Sequence, residues 1–162
     1  MAKLKRKYLI IHCTATPEGR DISPAQVFEW HTFPPPKGRG WSKVGYSKLV
    51  LLNGGIHTFV QDNEDQFVDT WEITNGVKGI NSISMHVCYV GGVDEKFNPK
   101  DTRTNQQKTA LEVIAGKVLL MNPEIKIAGH YHFAAKACPS FDVEKWLEEI
   151  GIPEKNIYRE IK

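Results

Sequence analysis

Apolar and polar positions along the chain fall into short runs of two kinds, some with the period of a strand and some with that of a helix. Tyr8 to Cys13 is a β-branched and aromatic run that ends in the polar stretch TATPEGRD, so it predicts a buried strand with His12 at its end. Side chains alternate across a strand, which sends His12 and Cys13 to opposite faces and places Cys13 in the core. Ser23 before Pro24 predicts a helix start, since serine caps free N–H groups and proline fits the first helical position; the helix should run to about Phe33. Ala25, Phe28 and Thr32 would share one face, Val27, Trp30 and His31 another, with His31 structural or exposed. PPPKGRG, residues 34 to 40, then breaks the helix and forms a rim loop.

Strand character returns from Trp41 to Leu52, with Tyr46 at its start beside Gly45, and Asn53-Gly54-Gly55 is a hairpin signal leading into Ile56 to Val60. Gln61 to Ile80 has few periodic features and reads as a binding loop or a wrapping connection. Ser82 to Val90 predicts a strand with His86 and Cys88 on one face; a core pair is the reading preferred over a metal pair, because no third ligand lies near in sequence. Thr104 opens a helix with a capping box to Gln107, and Leu111, Ile114, Ala115, Val118 and Leu119 give it one apolar face before Pro123. Ile125 to Ala128 is a short strand delivering His130. Asp142 to Ile150 is a last helix with Val143, Trp146, Leu147 and Ile150 at helical spacing. With no internal repeat and no linker, this order describes one α/β domain over residues 1–162, with helices flanking a central mixed sheet.

Composition narrows the function. A formal net charge of +2 is too balanced to argue for a nucleic-acid partner. Cys13, Cys88 and Cys138 form no even set at framework spacing, so a disulfide scaffold is not expected. The basic start with Lys3, Lys5, Arg6 and Lys7 resembles a secretory signal, but the apolar run behind it reaches only from Tyr8 to Ile11. No stretch approaches the roughly 20 apolar residues of a membrane span. Synthesis in the cytoplasm without a signal peptide, no membrane insertion and a monomer are the expectations.

The chemistry concentrates in GHYHFAAKACPSF, residues 129 to 141. His130 and Cys138 offer a nitrogen and a soft sulfur, and His12 a second nitrogen from a distant strand. Three such ligands leave the fourth position of a tetrahedral zinc open, as in a catalytic site. Lys136 would sit beside the metal. His132 competes with His130, since the two would share a face on an extended segment, and on the residues alone a core histidine beside an inert thiol remains an equal reading.

The motifs YLIIHCTAT, GWSKVGY, NSISMHVCYVGG and GHYHFAAKACPSFD, in this order, resemble the zinc-dependent N-acetylmuramoyl-L-alanine amidases of phage endolysins, which are related to peptidoglycan recognition proteins. The resemblance covers nearly the whole chain. It implies that His12, His130 and Cys138 bind Zn2+, that Tyr46 and Lys136 assist catalysis, and that the partner is peptidoglycan, cut between N-acetylmuramic acid and L-alanine at the cell wall. Trp41 and Asn81 are candidate substrate-groove residues. In one departure, Gly76 stands where some phage members carry a histidine near the site. Two rivals are a non-catalytic peptidoglycan-binding module, as in relatives that lack the cysteine ligand, and a thiol hydrolase using Cys138 with His130 or His132 as base.

Overall fold

The computed structural model describes residues 3–160, so the ends of the expected 1–162 domain, residues 1–2 and 161–162, lie outside the described residues. The chain runs β1 (Leu4–Lys5), β2 (Tyr8–Cys13), β3 (Thr16–Pro17), α1 (Pro24–Thr32), β4 (Lys48–Val50), β5 (Ile56–Thr58), β6 (Phe67–Val68), β7 (Ser84–Tyr89), β8 (Gly92–Val93), α2 (Asn105–Met121), β9 (Lys126–Gly129) and α3 (Val143–Glu149). Five of these strands form a central mixed sheet in the order β5-β4-β7-β2-β9, with only the β4–β5 hairpin antiparallel. The two-residue pairs β1–β6 and β3–β8 lie outside it. Such short pairs carry too few residues to leave an alternating pattern, so the sequence did not announce them.

Central strands buried on both faces must read as continuous apolar runs, and β2 and β7 do. Leu9 to Ile11 are wholly buried, and so is Val87 to Val90. One face of the sheet packs on α2 and α3 through Leu111, Ile114, Ala115, Trp146 and Leu147. The other packs Leu49, Cys88 and Val90 against Ile22 and Val27 beside and within α1. Each fully buried aliphatic side chain of this kind contributes about 1.5–3 kcal/mol. Helices on both faces therefore hold the sheet rigid beneath whatever its strand ends carry.

The caps follow the sequence closely. Ser23 accepts from Gln26 N–H and Thr104 from Gln107 N–H, each in a reciprocal capping box. Gln107 is also wholly buried, and its amide donates to the carbonyl of Val90 at 2.9 Å, which ties α2 to the end of β7.

Three local expectations are corrected. The strand expected from Trp41 begins only at Lys48, so Tyr46 stands in the loop before β4; residues 41–47 instead wrap around α1, with Trp41 N–H donating to the His31 carbonyl. On α1, Val27 and His31 are buried, whereas Trp30 is 38% exposed. The strand expected from Ser82 starts at Ser84, after a 3-10 turn over Asn81–Ile83.

Candidate active site

In an open sheet of parallel strands, ligands bind beyond the carboxyl ends of the strands, where the loops diverge. Both histidines singled out in the sequence arrive at that edge. His12 lies near the end of β2, and His130 follows directly on β9, whose Gly129 is in register with Ile11. The third group, Cys138, comes in on the loop before α3. That loop is tied down where it enters: Tyr131 N–H donates to the Cys138 carbonyl at 2.9 Å, and the buried Tyr89 hydroxyl donates to the Pro139 carbonyl at 2.6 Å.

The donor atoms converge. His12 Nδ1 lies 3.2 Å from His130 Nδ1 and 3.9 Å from Cys138 Sγ. A tetrahedral zinc with nitrogen and sulfur ligands would set these edges at about 3.3 and about 3.6 Å. All three donor atoms fall within 4.8 Å of one another, so His12, His130 and Cys138 can hold a metal ion without rearrangement of the backbone. The competition between His130 and His132 is resolved by the turn they share. Residues His130–His132 form a 3-10 turn and not an extended segment, so the two rings diverge. His132 Nδ1 accepts from Gly129 N–H at 2.9 Å, and its Nε2 faces Glu144.

The electrostatics favour a cation ligand. Burial, followed by the charges of neighbouring histidines and Lys136, holds the His12 imidazole well below its ordinary range. His130 is lowered to about 4, chiefly by burial and then by Lys136. Neutral imidazoles present lone pairs, which is what a metal requires. The contact with Cys13 and burial together push the Cys138 thiol up, so a proton must leave that sulfur when a metal arrives. Cys13 N–H donates to Cys138 Sγ at 3.2 Å and is placed to stabilise the resulting thiolate.

Around this cluster lies an open groove of about 520 Å³, lined by Trp41, Gly76, Asn81, Phe133 and Lys136 as well as His130. Lys136 is exposed on its wall. The Tyr46 ring packs against His12 with centroids 5.1 Å apart, and burial, then the Cys88 thiol beside it, keep its phenol protonated well above the ordinary range. His31 proves structural. Its Nδ1 accepts from Gly45 N–H at 2.9 Å and so braces the residue before Tyr46. Trp41 stacks on His31 at 4.9 Å and carries the Arg39 guanidinium on its ring.

His86 is a core residue, as the sequence led one to expect, and Cys88 is wholly buried with it, but the contacts of His86 toward the site were not expected. Wholly buried in β7, its Nδ1 lies 2.9 Å from His12 Nε2 and its Nε2 2.8 Å from Asn81 Oδ1. Asn81 is correspondingly more than a groove residue, because the same Oδ1 accepts from Val77 N–H at 2.8 Å. Gly76 stands against this ring. A Cβ on Gly76 would stand 2.2 Å from His86 Cγ, so the ring fills the space that a side chain at 76 would need.

Comparison with known proteins places this site in context. The family model described as N-acetylmuramoyl-L-alanine amidase matches residues 2–141. The endolysin of Enterobacteria phage K11 is 36% identical over 138 residues, covering 85% of this chain and 83% of its own. The endolysin of Klebsiella phage KP32 is 33% identical over 141 residues, covering 87% and 85%. Among solved structures, the Ph2119 endolysin from the Thermus scotoductus MAT2119 bacteriophage superposes with a TM-score of 0.71 at 22% identity, over 93% of this chain and 88% of that one. Drosophila PGRP-LB shares the fold at a TM-score of 0.67 and 18% identity, over 100% of this chain and 88% of that one. A match across most of the sequence, by relatives of nearly the same length, carries the assignment: the chain belongs to the N-acetylmuramoyl-L-alanine amidase family.

Proposed function

We propose that the protein hydrolyses the amide between N-acetylmuramic acid and the L-alanine of the stem peptide in bacterial peptidoglycan, with zinc held by His12, His130 and Cys138. The observation that carries this reading is the convergence of two imidazole nitrogens and one sulfur at edge lengths close to those of tetrahedral zinc, at the base of a groove, in a chain of the amidase family. Two nitrogens and a thiolate suit zinc better than the hard cations, which take oxygen ligands. When bound, zinc lowers the pKa of a water molecule to about 7 and polarises the substrate carbonyl.

The chain's own groups supply the rest. Tyr46 and Lys136 are the catalytic side chains of this reading. The Tyr46 hydroxyl, held protonated by burial, offers a hydrogen bond to the oxyanion that develops on the carbonyl, and Lys136 offers a positive charge from the groove wall. Trp41 and the outer side of Asn81 line the groove along which the glycan and peptide would lie. Peptidoglycan is the partner, the monomer is the acting form, and the cell wall is the place of action. No helix among the described residues is long and apolar enough to cross a membrane.

The test is mass spectrometry of soluble fragments released from purified peptidoglycan, with and without a chelator. Free stem peptides beginning with L-alanine, lost on chelation and restored by zinc, are expected. Binding to the wall without release would establish a non-catalytic module in its place. Loss of activity on thiol alkylation but not on chelation would establish a cysteine hydrolase.

A further inference from the structure

We propose that His86 is a positioning residue: oriented by Asn81, it holds His12 in the one tautomer whose Nδ1 lone pair faces the metal position. This inference rests on the metal reading of the same site and extends it to His86, which is wholly buried and touches neither metal nor substrate.

The direction of a backbone N–H is not open to choice. Val77 N–H points at the Asn81 side chain, 2.8 Å away. An amide NH2 in that place would set donor against donor, so the atom there is the oxygen Oδ1. His86 Nε2 lies 2.8 Å from that same oxygen and must therefore carry the hydrogen. The His86 ring is wholly buried, and its nitrogens face the neutral Asn81 amide and another imidazole and no carboxylate, so the ring is neutral and its other nitrogen, Nδ1, has a lone pair and no hydrogen. His12 Nε2 sits 2.9 Å from that lone pair, so it must be the donor. A neutral His12 then has its remaining lone pair on Nδ1, and Nδ1 is the atom that lies 3.2 Å from His130 and 3.9 Å from Cys138. Each link follows from the one before it.

Without His86 the His12 ring would be free to place its hydrogen on Nδ1 and to turn, and its buried Nε2–H would lack an acceptor. A partner on the far nitrogen of a metal-binding imidazole fixes the ring's orientation and raises its basicity. Space for the partner comes from Gly76. Its φ is not in the left-handed region, so the backbone would accept alanine, yet the added Cβ would stand 2.2 to 2.6 Å from three atoms of the His86 ring, and the ring would have to move.

The test reads metal affinity and imidazole chemistry and does not depend on catalysis. In metal-free protein at neutral pH, long-range 15N–1H NMR should show His12 with the hydrogen on Nε2 and a bare Nδ1. The zinc Kd, measured by competition with a chelating dye, should rise 10- to 100-fold in His86→Phe and Asn81→Leu. Asn81→Asp keeps an acceptor for both Val77 N–H and His86 and should stay within about threefold of the parent. Gly76→Ala should fall with the weakened set. A His12 Nδ1–H tautomer in the parent protein would overturn the proposal even if every variant misfolds, and so would an unchanged zinc Kd in folded His86→Phe. Tight zinc binding that depends on His86 in a protein that cuts no peptidoglycan would sink the amidase reading and leave this one standing.

Discussion

β2 begins and ends beside two buried polar clusters built on opposite rules. Just before it, Arg6 is 5% exposed and meets Glu72 at 3.1 Å and Asp62 at 3.4 Å. Glu72 is further saturated by the N–H groups of Asn63 and Asp69. There, donors face acceptors and positive charge faces negative. At the far end of the strand, His12, His130 and Cys138 turn two imidazole nitrogens and a thiol toward one point, with no carboxylate in the group. In the first cluster the charges meet their counterparts, although Arg6 Nε is left without a partner, and the pairing acts on stability. The second cluster offers nitrogen and sulfur donors with no counter-charge among them, a set that suits a cation, and on the proposed reading it is the functional end.

The contrast breaks most sharply at Cys138. Cys138→Ser should reduce cleavage below detection and remove tight zinc binding, while metal-free stability in urea stays within about 1 kcal/mol. Full activity in this variant would refute the ligand set. At the other end the pattern should invert. Removing Glu72 leaves the Arg6 charge buried and uncompensated, so Glu72→Ala should cost about 3–5 kcal/mol of stability. Its zinc Kd should remain within twofold, because Arg6 precedes β2 and the ligands gather at its far end. Comparable losses of zinc affinity in both variants would erase the distinction between the two ends. Tyr46→Phe sits between these cases. Stripped of one oxyanion donor, it should slow cleavage about 10²- to 10³-fold with zinc affinity retained, as measured on a soluble muropeptide.

How far the sequence could be read divides along similar lines. The five strands of the main sheet, the caps at Ser23 and Thr104 and the core face of α2 depend on local pattern, and each was visible. His12, His130 and Cys138 were visible as donor types, and the resemblance implied their convergence and the choice of His130; the residues alone left His132 open, because the 3-10 turn that parts the two rings is only three residues long. Two things were hidden. The Arg6 cluster depends on a pairing across 66 positions in a stretch without periodicity. The partnership of His86 with His12 depends on parallel pairing of β2 with β7 in a register that sets Ile10 opposite His86, and no short-range pattern specifies a parallel register. Position 86 looked like a core histidine, and it is one; its neighbour across the sheet gives it its proposed role.

The smallest expected effect concerns acid, and it tests whether the brace beneath Tyr46 belongs to the functional end. Burial and then the Arg39 charge lower His31 to about 4, against about 6.5 in an unfolded chain. Between those values the unfolded chain binds a proton at this residue that the folded chain does not. Stability therefore rises with pH across this window: the contribution is fully present above about 6.5 and is lost as pH falls through about 4. Protonation would also place a hydrogen on the Nδ1 that accepts from Gly45 N–H, so the contact that orders the segment before Tyr46 is the one acid attacks. Urea unfolding of the metal-free protein should thus give lower stability at pH 5 than at pH 7, and His31→Gln, which keeps an acceptor but does not titrate, should flatten part of that slope. An unchanged slope in His31→Gln would remove His31 from the acid response and leave its contact with Gly45 as packing alone.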